Sequence, residues 1–386
     1  MLWLLVLTIL LVGWGWRKMA GSFFKSPAGG GSQAAAPDCP ASLHQLLALS
    51  PAQIGECDIA LLNLLCADGL PGADNLNPQG CMATVHGWAE RVRYETERHL
   101  YRYRANPREF ESSEGYFRML MMAVVLYEDF AVRYNPERMS TPGSLDANDH
   151  FFADSRDVFL HGLFGREGVQ GPKSKVQSPR SIVQSLKSKV QSPDSPSSLA
   201  LGTCSSMPVL YIAIGRRLGY PLKLVTTKSH LFIRWESAVE RFNLEATGKG
   251  MNRYDDEHFK QWPYPVTEEE IQTDGYLKSL TPVEELALFL SLRGHCLKEA
   301  GRMSEAMASY AEAVRLAPGS RPYHLLLAAV QQPRTQPGGG AGVPPAVGLP
   351  PAYAQATPLL RPPPTADSAL SGAPPDPNPL LKIRQQ

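Results

Sequence analysis

In the second half of the chain, Cys204, His230 and Glu245 are the residues whose types and order suit chemistry. A cysteine thiolate attacks acyl carbon atoms, an imidazole moves the proton, and a carboxylate orients the imidazole and stabilises its charged form. A lone cysteine or histidine is more often a buried structural residue. The three together, at a helix start and on two neighbouring strands, predict an activated cysteine nucleophile.

The cysteine is expected at the start of a helix. Residues 209–218 (VLYIAIGRRL) carry apolar side chains at helical spacing, and Gly219 follows where helices favour glycine. Pro208 fits only the first turn, because proline lacks the N–H that later turns need. Cys204 therefore lies at or just before the helix N-terminus, where unpaired N–H groups and the dipole favour a thiolate.

The histidine and the acid are expected on a β-hairpin, because residues 230–235 (HLFIRW) and 240–246 (ERFNLEA) alternate in the manner of strands. With the four intervening residues as the loop, Trp235 pairs with Glu240. This predicts that the two strands share one continuous antiparallel register.

In that register His230 lies directly opposite Glu245, with Cβ atoms about 5 Å apart. Asn243 points to the same face and is the reserve candidate for orienting the imidazole. A shift of one residue would turn both Glu245 and Asn243 to the other face.

Residues 154–247, which include DSRDVFLHGLFG, GTCSSMPVLYIAIGRRLGYPL, HLFIRW and FNLEAT, resemble the bacterial SirB-type branch of the transglutaminase-like superfamily. The resemblance implies an α+β, papain-like fold with a Cys–His–Asp triad. By this resemblance, Cys204 corresponds to the nucleophile of the triad and His230 to the base. Glu245 occupies the position at which the superfamily has Asp. The acid is therefore one methylene longer than usual. Many members of the branch lack the cysteine, which this chain keeps.

Length and composition fit one such domain with appendages. Of 386 residues, 43% are hydrophobic, and a net charge of +1 gives no electrostatic case for nucleic acid. The sequence contains no phosphate-binding loop, dinucleotide fingerprint or Cys-x-x-Cys pair, so no cofactor or metal site is predicted. Residues 41–170 are expected to form a helical part of the main domain, and residues 199–275 the transglutaminase-like core.

Residues 1–18 are interpreted as a membrane anchor or signal-like segment, followed by a flexible linker over 19–40. The apolar run LWLLVLTILLVGWGW is followed by Arg17 and Lys18, and this charge bias favours a cytoplasmic main domain. An exported domain is one alternative. Another is an over-extended gene start, with Met19 as the true first residue.

Four cysteines cluster after the linker. An exported domain could join them in two disulfides, whereas a cytoplasmic one would keep them as buried, reduced thiols, which is the interpretation favoured here. The cluster comprises Cys39, Cys57, Cys66 and Cys81.

A seven-residue repeat (PKSKVQS, PRSIVQS, LKSKVQS) occupies residues 172–192. It is polar and punctuated by proline, so residues 171–198 are expected to be a disordered insertion. Residues 332–386 are rich in proline and glycine and are expected to be a disordered tail.

Residues 287–319 resemble one tetratricopeptide repeat, and helices of that type are predicted over 281–331. The small, aromatic and terminating positions of the repeat are Gly294, Gly301, Ala306, Tyr310, Ala313 and Pro318. One repeat cannot stack into a solenoid, since about three are needed. The helix pair therefore either packs on the main domain, which is slightly favoured, or binds a peptide partner.

The sequence thus predicts an α+β transglutaminase-like domain with a helical N-terminal part, a tetratricopeptide helix pair and a disordered tail. The predicted function is a membrane-tethered cysteine acyl-transfer enzyme that hydrolyses a peptide or amide bond in a peptide or protein substrate. The alternative is a catalytically silent protein-interaction module that uses the same fold and the helical repeat.

Overall fold

The computed structural model describes residues 39–138, 151–164, 199–247 and 251–331. The predicted anchor (1–18), repeat insertion (171–198) and tail (332–386) lie outside the described residues, as does the linker apart from its last two residues.

The chain divides into two units, Met1–Cys39 and Pro40–Gln386. Among the helices of the described ranges, none has the length and apolar character needed to cross a membrane.

The helical N-terminal part has helices at Leu43–Leu47 (α1), Pro51–Gly55 (α2), Ile59–Ala67 (α3), Pro78–Ala105 (α4) and Glu114–Val124 (α5). All nine residues of α3 are buried, because its sequence IALLNLLCA is apolar on every side. Helix α4 has 28 residues. Pro78 occupies its first turn, and the side chain of Asn77 accepts the Gly80 N–H.

Helix α5 ends at Val124. A π-helical turn, Val125–Asp129, follows it, and Ala131 then takes a positive φ of 50°. That backbone angle breaks the helix and turns the chain into the strand Val132–Tyr134 (β1).

Within the described ranges, two sheets accompany the helices. Strand β1 pairs in parallel with Ala200–Gly202 (β2). Leu222–Thr227 (β3), His230–Glu236 (β4), Arg241–Glu245 (β5) and Asn252–Tyr254 (β6) form an antiparallel sheet in that order. The chain is therefore mixed helix and sheet, which confirms the predicted α+β class.

Helix α6, Met207–Arg217, lies between β2 and β3 in the chain and packs on one face of the larger sheet. Gly215 permits the close approach, because a Cβ there would lie 2.3 Å from Leu222. Gly219 follows the end of the helix with a φ of 76°, at the position where the sequence predicts a helix-ending glycine. The opposite face of the sheet carries a separate apolar cluster of Val225, Phe232 and Phe259.

The remaining helices are Asp256–Gln261 (α7), Glu268–Asp274 (α8), Pro282–Glu299 (α9), Met303–Leu316 (α10) and Arg321–Gln331 (α11). Helices α9 and α10 form a tight pair, because Gly294 lies against the ring of Tyr310. A Cβ at Gly294 would be 2.4 Å from that ring.

The helix pair packs on the main domain, as the favoured interpretation proposes. Glu285 of α9 is fully buried and forms an ion pair with Arg216 of α6 at 2.5 Å. Arg293 donates to the carbonyl oxygen of Cys66 at 2.9 Å. One apolar core thus joins α3, α6, the sheet and α9.

The six cysteines all lie in the described residues, and none forms a disulfide. Cys66 and Cys81 are buried, as expected, but Cys39 is exposed and Cys57 is half-buried. Burial raises the pKa of the Cys66 thiol to about 12 and that of Cys81 to about 11, so both stay protonated at neutral pH.

Candidate functional site

Cys204 lies in the turn between β2 and α6, just before the N-cap residue Ser206, and its side chain is fully buried. Neighbouring hydroxyl groups hold the turn. Thr203 N–H donates to Ser206 Oγ at 3.0 Å, and Ser205 N–H donates to Thr203 Oγ1 at 3.1 Å. The sequence TCSS therefore supplies its own internal bonds, which fix the cysteine at the helix start as predicted.

A second set of bonds ties this turn to the chain around Asp157. Thr203 Oγ1 donates to the Asp157 carbonyl oxygen at 2.6 Å. The Asp157 carboxylate accepts from Asn135 at 3.2 Å and from Arg138 Nε at 2.9 Å. Asn135 N–H in turn donates to Gly202 O at 2.8 Å. These bonds therefore hold the turn that carries Cys204 in two ways, through Asp157 and through the β1–β2 pair.

Tyr134, the last residue of β1, brings its buried hydroxyl group next to Cys204. Burial, reinforced by the nearby Cys204 and Glu245, holds the pKa of Tyr134 well above its usual value, so the phenol is neutral. Because both Cys204 and Glu245 act electrostatically on this one hydroxyl, the cysteine and the acid belong to the same buried neighbourhood.

His230 and Glu245 are in direct contact. The Nε2 atom of His230 lies 2.5 Å from Oε2 of Glu245, and both side chains are buried. The other carboxylate oxygen of Glu245 accepts the Thr247 N–H at 2.7 Å and the Thr247 hydroxyl at 2.5 Å. Glu245 therefore binds one ring nitrogen of His230, and Thr247 holds the Glu245 carboxylate in place.

The charge of Glu245 follows from these contacts. Burial opposes ionisation, but His230 and the two Thr247 hydrogen bonds outweigh it and lower the pKa of the Glu245 carboxyl. Glu245 is thus a carboxylate at neutral pH. The second ring nitrogen of His230, Nδ1, is buried and has no hydrogen-bond partner in the described part of the chain, which leaves it able to accept a proton.

The predicted hairpin register is wrong by two residues. Trp235 pairs with Phe242 rather than with Glu240, and Arg234 pairs with Asn243. Continued along the strands, this register sets His230 opposite Thr247 and places Glu245 on the diagonal. A shift of two residues preserves the faces, and a glutamate side chain is long enough to span the diagonal.

Asn243, the reserve candidate, has other partners. Its Oδ1 accepts from Arg234 Nε at 2.8 Å, and its Nδ2 donates to Asp256 at 2.7 Å and to the Tyr254 carbonyl oxygen at 3.3 Å. Arg234 is only 2% exposed. Asn243 therefore joins β5, β4 and the start of α7, while Glu245 is the residue that holds His230.

Aromatic rings cover the His230 side of the site. The Trp262 ring meets the His230 ring edge-on, with centroids 4.7 Å apart, and Phe259 stacks on Phe232 at 3.8 Å. Rings in this position keep water from the His230–Glu245 pair and so strengthen it.

Sequence reasoning missed three residues of the site. Thr247 and Trp262 had signals, since Thr247 ends the FNLEAT segment and Trp262 lies in an aromatic stretch after the hairpin. Tyr134 had none, because only the pairing of β1 with β2 brings it to Cys204.

The arrangement supplies a thiol at a helix start, a histidine with one nitrogen open, and a charged acid. Among the described residues, no group of three or more His, Cys, Asp or Glu side chains is placed to hold a metal ion.

Comparison with known proteins gives no match to a family's sequence profile, to a curated protein or to a solved structure. The case for a function therefore rests on the site itself.

Proposed function

We propose that the protein is a transglutaminase-like cysteine acyl-transfer enzyme that hydrolyses a peptide or amide bond. The observation that carries the proposal is the state of His230. Glu245 binds its Nε2 at 2.5 Å, and its Nδ1 is buried without a partner in the described chain. A histidine held in this way, in one buried site with a helix-start cysteine, is equipped to act as a base.

In the first step the Cys204 thiol gives its proton to Nδ1 of His230, and the sulfur attacks the carbonyl carbon of the substrate. The S–C bond forms, and the negative charge develops on the carbonyl oxygen, where the Cys204 backbone N–H at the helix start can stabilise it. Collapse of this intermediate breaks the C–N bond as His230 returns the proton to the leaving amine.

In the second step water replaces the amine. His230 takes a proton from water, whose oxygen forms the new C–O bond as the S–C bond breaks, and the proton then returns to the sulfur. Glu245 stays ionised throughout and stabilises the imidazolium. Tyr134 faces the sulfur as a neutral hydroxyl group, so it can donate a hydrogen bond to the thiolate.

The test compares Cys204 with the exposed Cys39 of the same chain. Exposure alone predicts that iodoacetamide alkylates Cys39 faster, since Cys204 is fully buried. Activation by His230 predicts the reverse at neutral pH. Peptide-resolved mass spectrometry measures both rates in one sample, and His230→Ala should slow Cys204 alone. If Cys204 reacts more slowly than Cys39 and His230→Ala changes nothing, the proposal is wrong.

One observation favours a second candidate function, a catalytically silent interaction module. Cys204, His230 and Glu245 are at most 4% exposed, so a substrate reaches the sulfur only if covering residues move. The helix pair α9–α10, with Gly294 against Tyr310, is proposed to be a tetratricopeptide-type unit of this module. A Cys204→Ala protein that keeps all partner binding and every cellular effect would support this function over the enzyme.

Residues 1–18 lie outside the described chain, and the membrane anchor with a cytoplasmic main domain stays a proposal. Fractionation of cells that express the full chain and a chain starting at Met19 tests it. Equal recovery of both in the membrane pellet would contradict the anchor.

A further inference from the structure

The residues of the candidate site are closed off from solvent. Cys204, His230 and Glu245 are 0%, 1% and 4% exposed. Trp262 contacts the His230 ring edge-on at 4.7 Å and is itself half-buried. Its ring therefore forms part of the layer that separates His230 from solvent, and a substrate meets His230 only when this layer opens.

Helix α7, the first part of this cover, is fixed to the sheet. Phe259 is fully buried and stacks on Phe232 at 3.8 Å, and its carbonyl oxygen accepts the Thr227 hydroxyl at 2.8 Å. Asp256 accepts from Arg234 at 2.7 Å. Helix α7 thus belongs to the packed face of the sheet, so the opening has to come from the chain that follows it.

The loop after α7 is attached in a different way. It comprises residues 262–265, which are all half-buried or exposed, and Tyr264 is 37% exposed. The Pro265 carbonyl oxygen accepts from Lys228 Nζ at 2.9 Å, and the same ammonium group pairs with Glu270 of α8 at 2.6 Å. One lysine therefore ties the loop and the start of α8 to the sheet.

Lys228 lies in the turn between β3 and β4, two residues before His230. The side chains of Lys228 and Glu270 are 26% and 15% exposed. Ion pairs at partly exposed positions are weak and are screened by salt. The contact that holds the loop therefore breaks easily, and its release frees the backbone next to Trp262.

We propose that residues 262–265 are a gate over His230 and that Lys228 is its latch. With the latch closed, Trp262 covers His230. When Lys228 releases Glu270 and Pro265, the loop moves outward while α7 stays in place, and the His230 ring becomes open to substrate. The gate rests on the proposed function for its purpose, since an enzyme with a buried site needs a route for its substrate.

Exchange of the His230 ring C2 hydrogen with deuterium, measured on the full chain by mass spectrometry, tests the proposal. The plateau rate of this exchange at high pH reports solvent access to the ring rather than its protonation. Trp262→Ala should accelerate the exchange by about tenfold or more, because loss of the indole uncovers the histidine. Lys228→Gln should accelerate it by about threefold or more, as expected for loss of a partly exposed ion pair.

Lys260→Gln is the matched control. Lys260 forms an ion pair with Glu268 and so also links α7 to α8, but it lies on α7 rather than in the turn before His230. This variant should leave His230 exchange unchanged. Raising NaCl from about 0.05 M to about 0.5 M should accelerate exchange in the native protein and not in Lys228→Gln. Thermal unfolding checks that every variant is folded.

Any of four results would overturn the gate: unchanged His230 exchange in Trp262→Ala, unchanged exchange in Lys228→Gln, an equal acceleration in Lys260→Gln, or no response of the native protein to salt. None of these readouts requires turnover. If the gate variants behave as expected while His230→Ala leaves Cys204 alkylation unchanged, the hydrolase is wrong and the gate stands. If Cys204 is activated but Lys260→Gln matches Lys228→Gln, the gate is wrong and the hydrolase stands.

Discussion

Replacing Glu245 by glutamine removes the charge of the acid and keeps its shape. One oxygen of the native carboxylate lies 2.5 Å from His230 Nε2, and the other accepts both bonds from Thr247. In the variant the amide oxygen can keep the Thr247 bonds, which turns the NH2 group toward His230. Two donors then face each other unless His230 moves its proton from Nε2 to Nδ1.

In the proposed mechanism that tautomer removes the base, because Nδ1, which has no hydrogen-bond partner among the described residues, is the nitrogen proposed to accept the Cys204 proton. An unassisted thiol is only a few per cent thiolate at neutral pH, so Cys204 alkylation should slow by about tenfold to a hundredfold. Turnover should fall further, by about 10²- to 10⁴-fold, as when a triad histidine is held in the wrong tautomer.

Asn243→Ala is the matched control, since Asn243 lies two residues away on the same face. It loses its bonds to Arg234 and Asp256 and leaves the Nε of the buried Arg234 without its partner. We expect a loss of about 1–3 kcal/mol in the free energy of unfolding with an unchanged pH profile of Cys204 alkylation.

The assay is the rate of Cys204 alkylation against pH in both variants, read by mass spectrometry, with urea unfolding alongside. The reasoning is refuted if Asn243→Ala shifts the alkylation profile and Glu245→Gln does not. That result would mean that the His230–Glu245 contact does not set the tautomer.

Three further predictions concern stability. Burial lowers the pKa of His295 to about 3 from an ordinary 6.5. Its contribution to the free energy of unfolding is therefore complete above pH 6.5 and falls by about 1.4 kcal/mol per unit as pH drops toward 3. Urea unfolding at stepped pH should show the decline, and His295→Phe should make it shallower without removing it, because burial also lowers the pKa of His161, to about 4. Gly294→Ala should destabilise by about 1–3 kcal/mol, because the added Cβ would meet an aromatic ring at 2.4 Å, whereas Gly319→Ala meets nothing within 4 Å and should be neutral in thermal unfolding. Arg216→Met should cost about 3–5 kcal/mol by leaving the fully buried Glu285 unpaired, and adding Glu285→Leu should restore most of it in a double-mutant cycle.

Local patterns predicted the parts of the site that depend on neighbours in sequence. The helix of α6 and the alternation of the two strands were predictable from periodicity and from Pro208 and Gly219. The faces of the hairpin residues were also correct, because a two-residue error in register leaves side-chain parity unchanged.

The loop of the hairpin was harder to predict for a physical reason. Val239 has the character of a strand residue, yet it is 94% exposed at the loop. Ser237 closes the turn instead, since its Oγ accepts the Glu240 N–H at 3.0 Å. A side-chain bond of this kind leaves no periodic pattern in the sequence. Because of it, β5 begins at Arg241 rather than at the predicted Glu240.

Contacts between distant segments could not be predicted from spacing at all. Tyr134 reaches Cys204 only because β1 and β2 pair across a long stretch of chain. The ion pair of Arg216 with Glu285 was equally unpredictable. It joins two helices, and the sequence pattern of neither helix indicates that it packs against the other.

The β1–β2 pair also decides what can vary in this protein over evolution. The chain leaves the pair at Tyr134 and returns at Ala200, and the seven-residue repeat lies between these two points. Since the pair and the bonds of Asn135 to Gly202 and Asp157 set the return point, we expect that units of the repeat can be gained or lost without moving Cys204. Related genes should therefore differ freely in repeat number while the spacing from Ala200 to Cys204 stays constant.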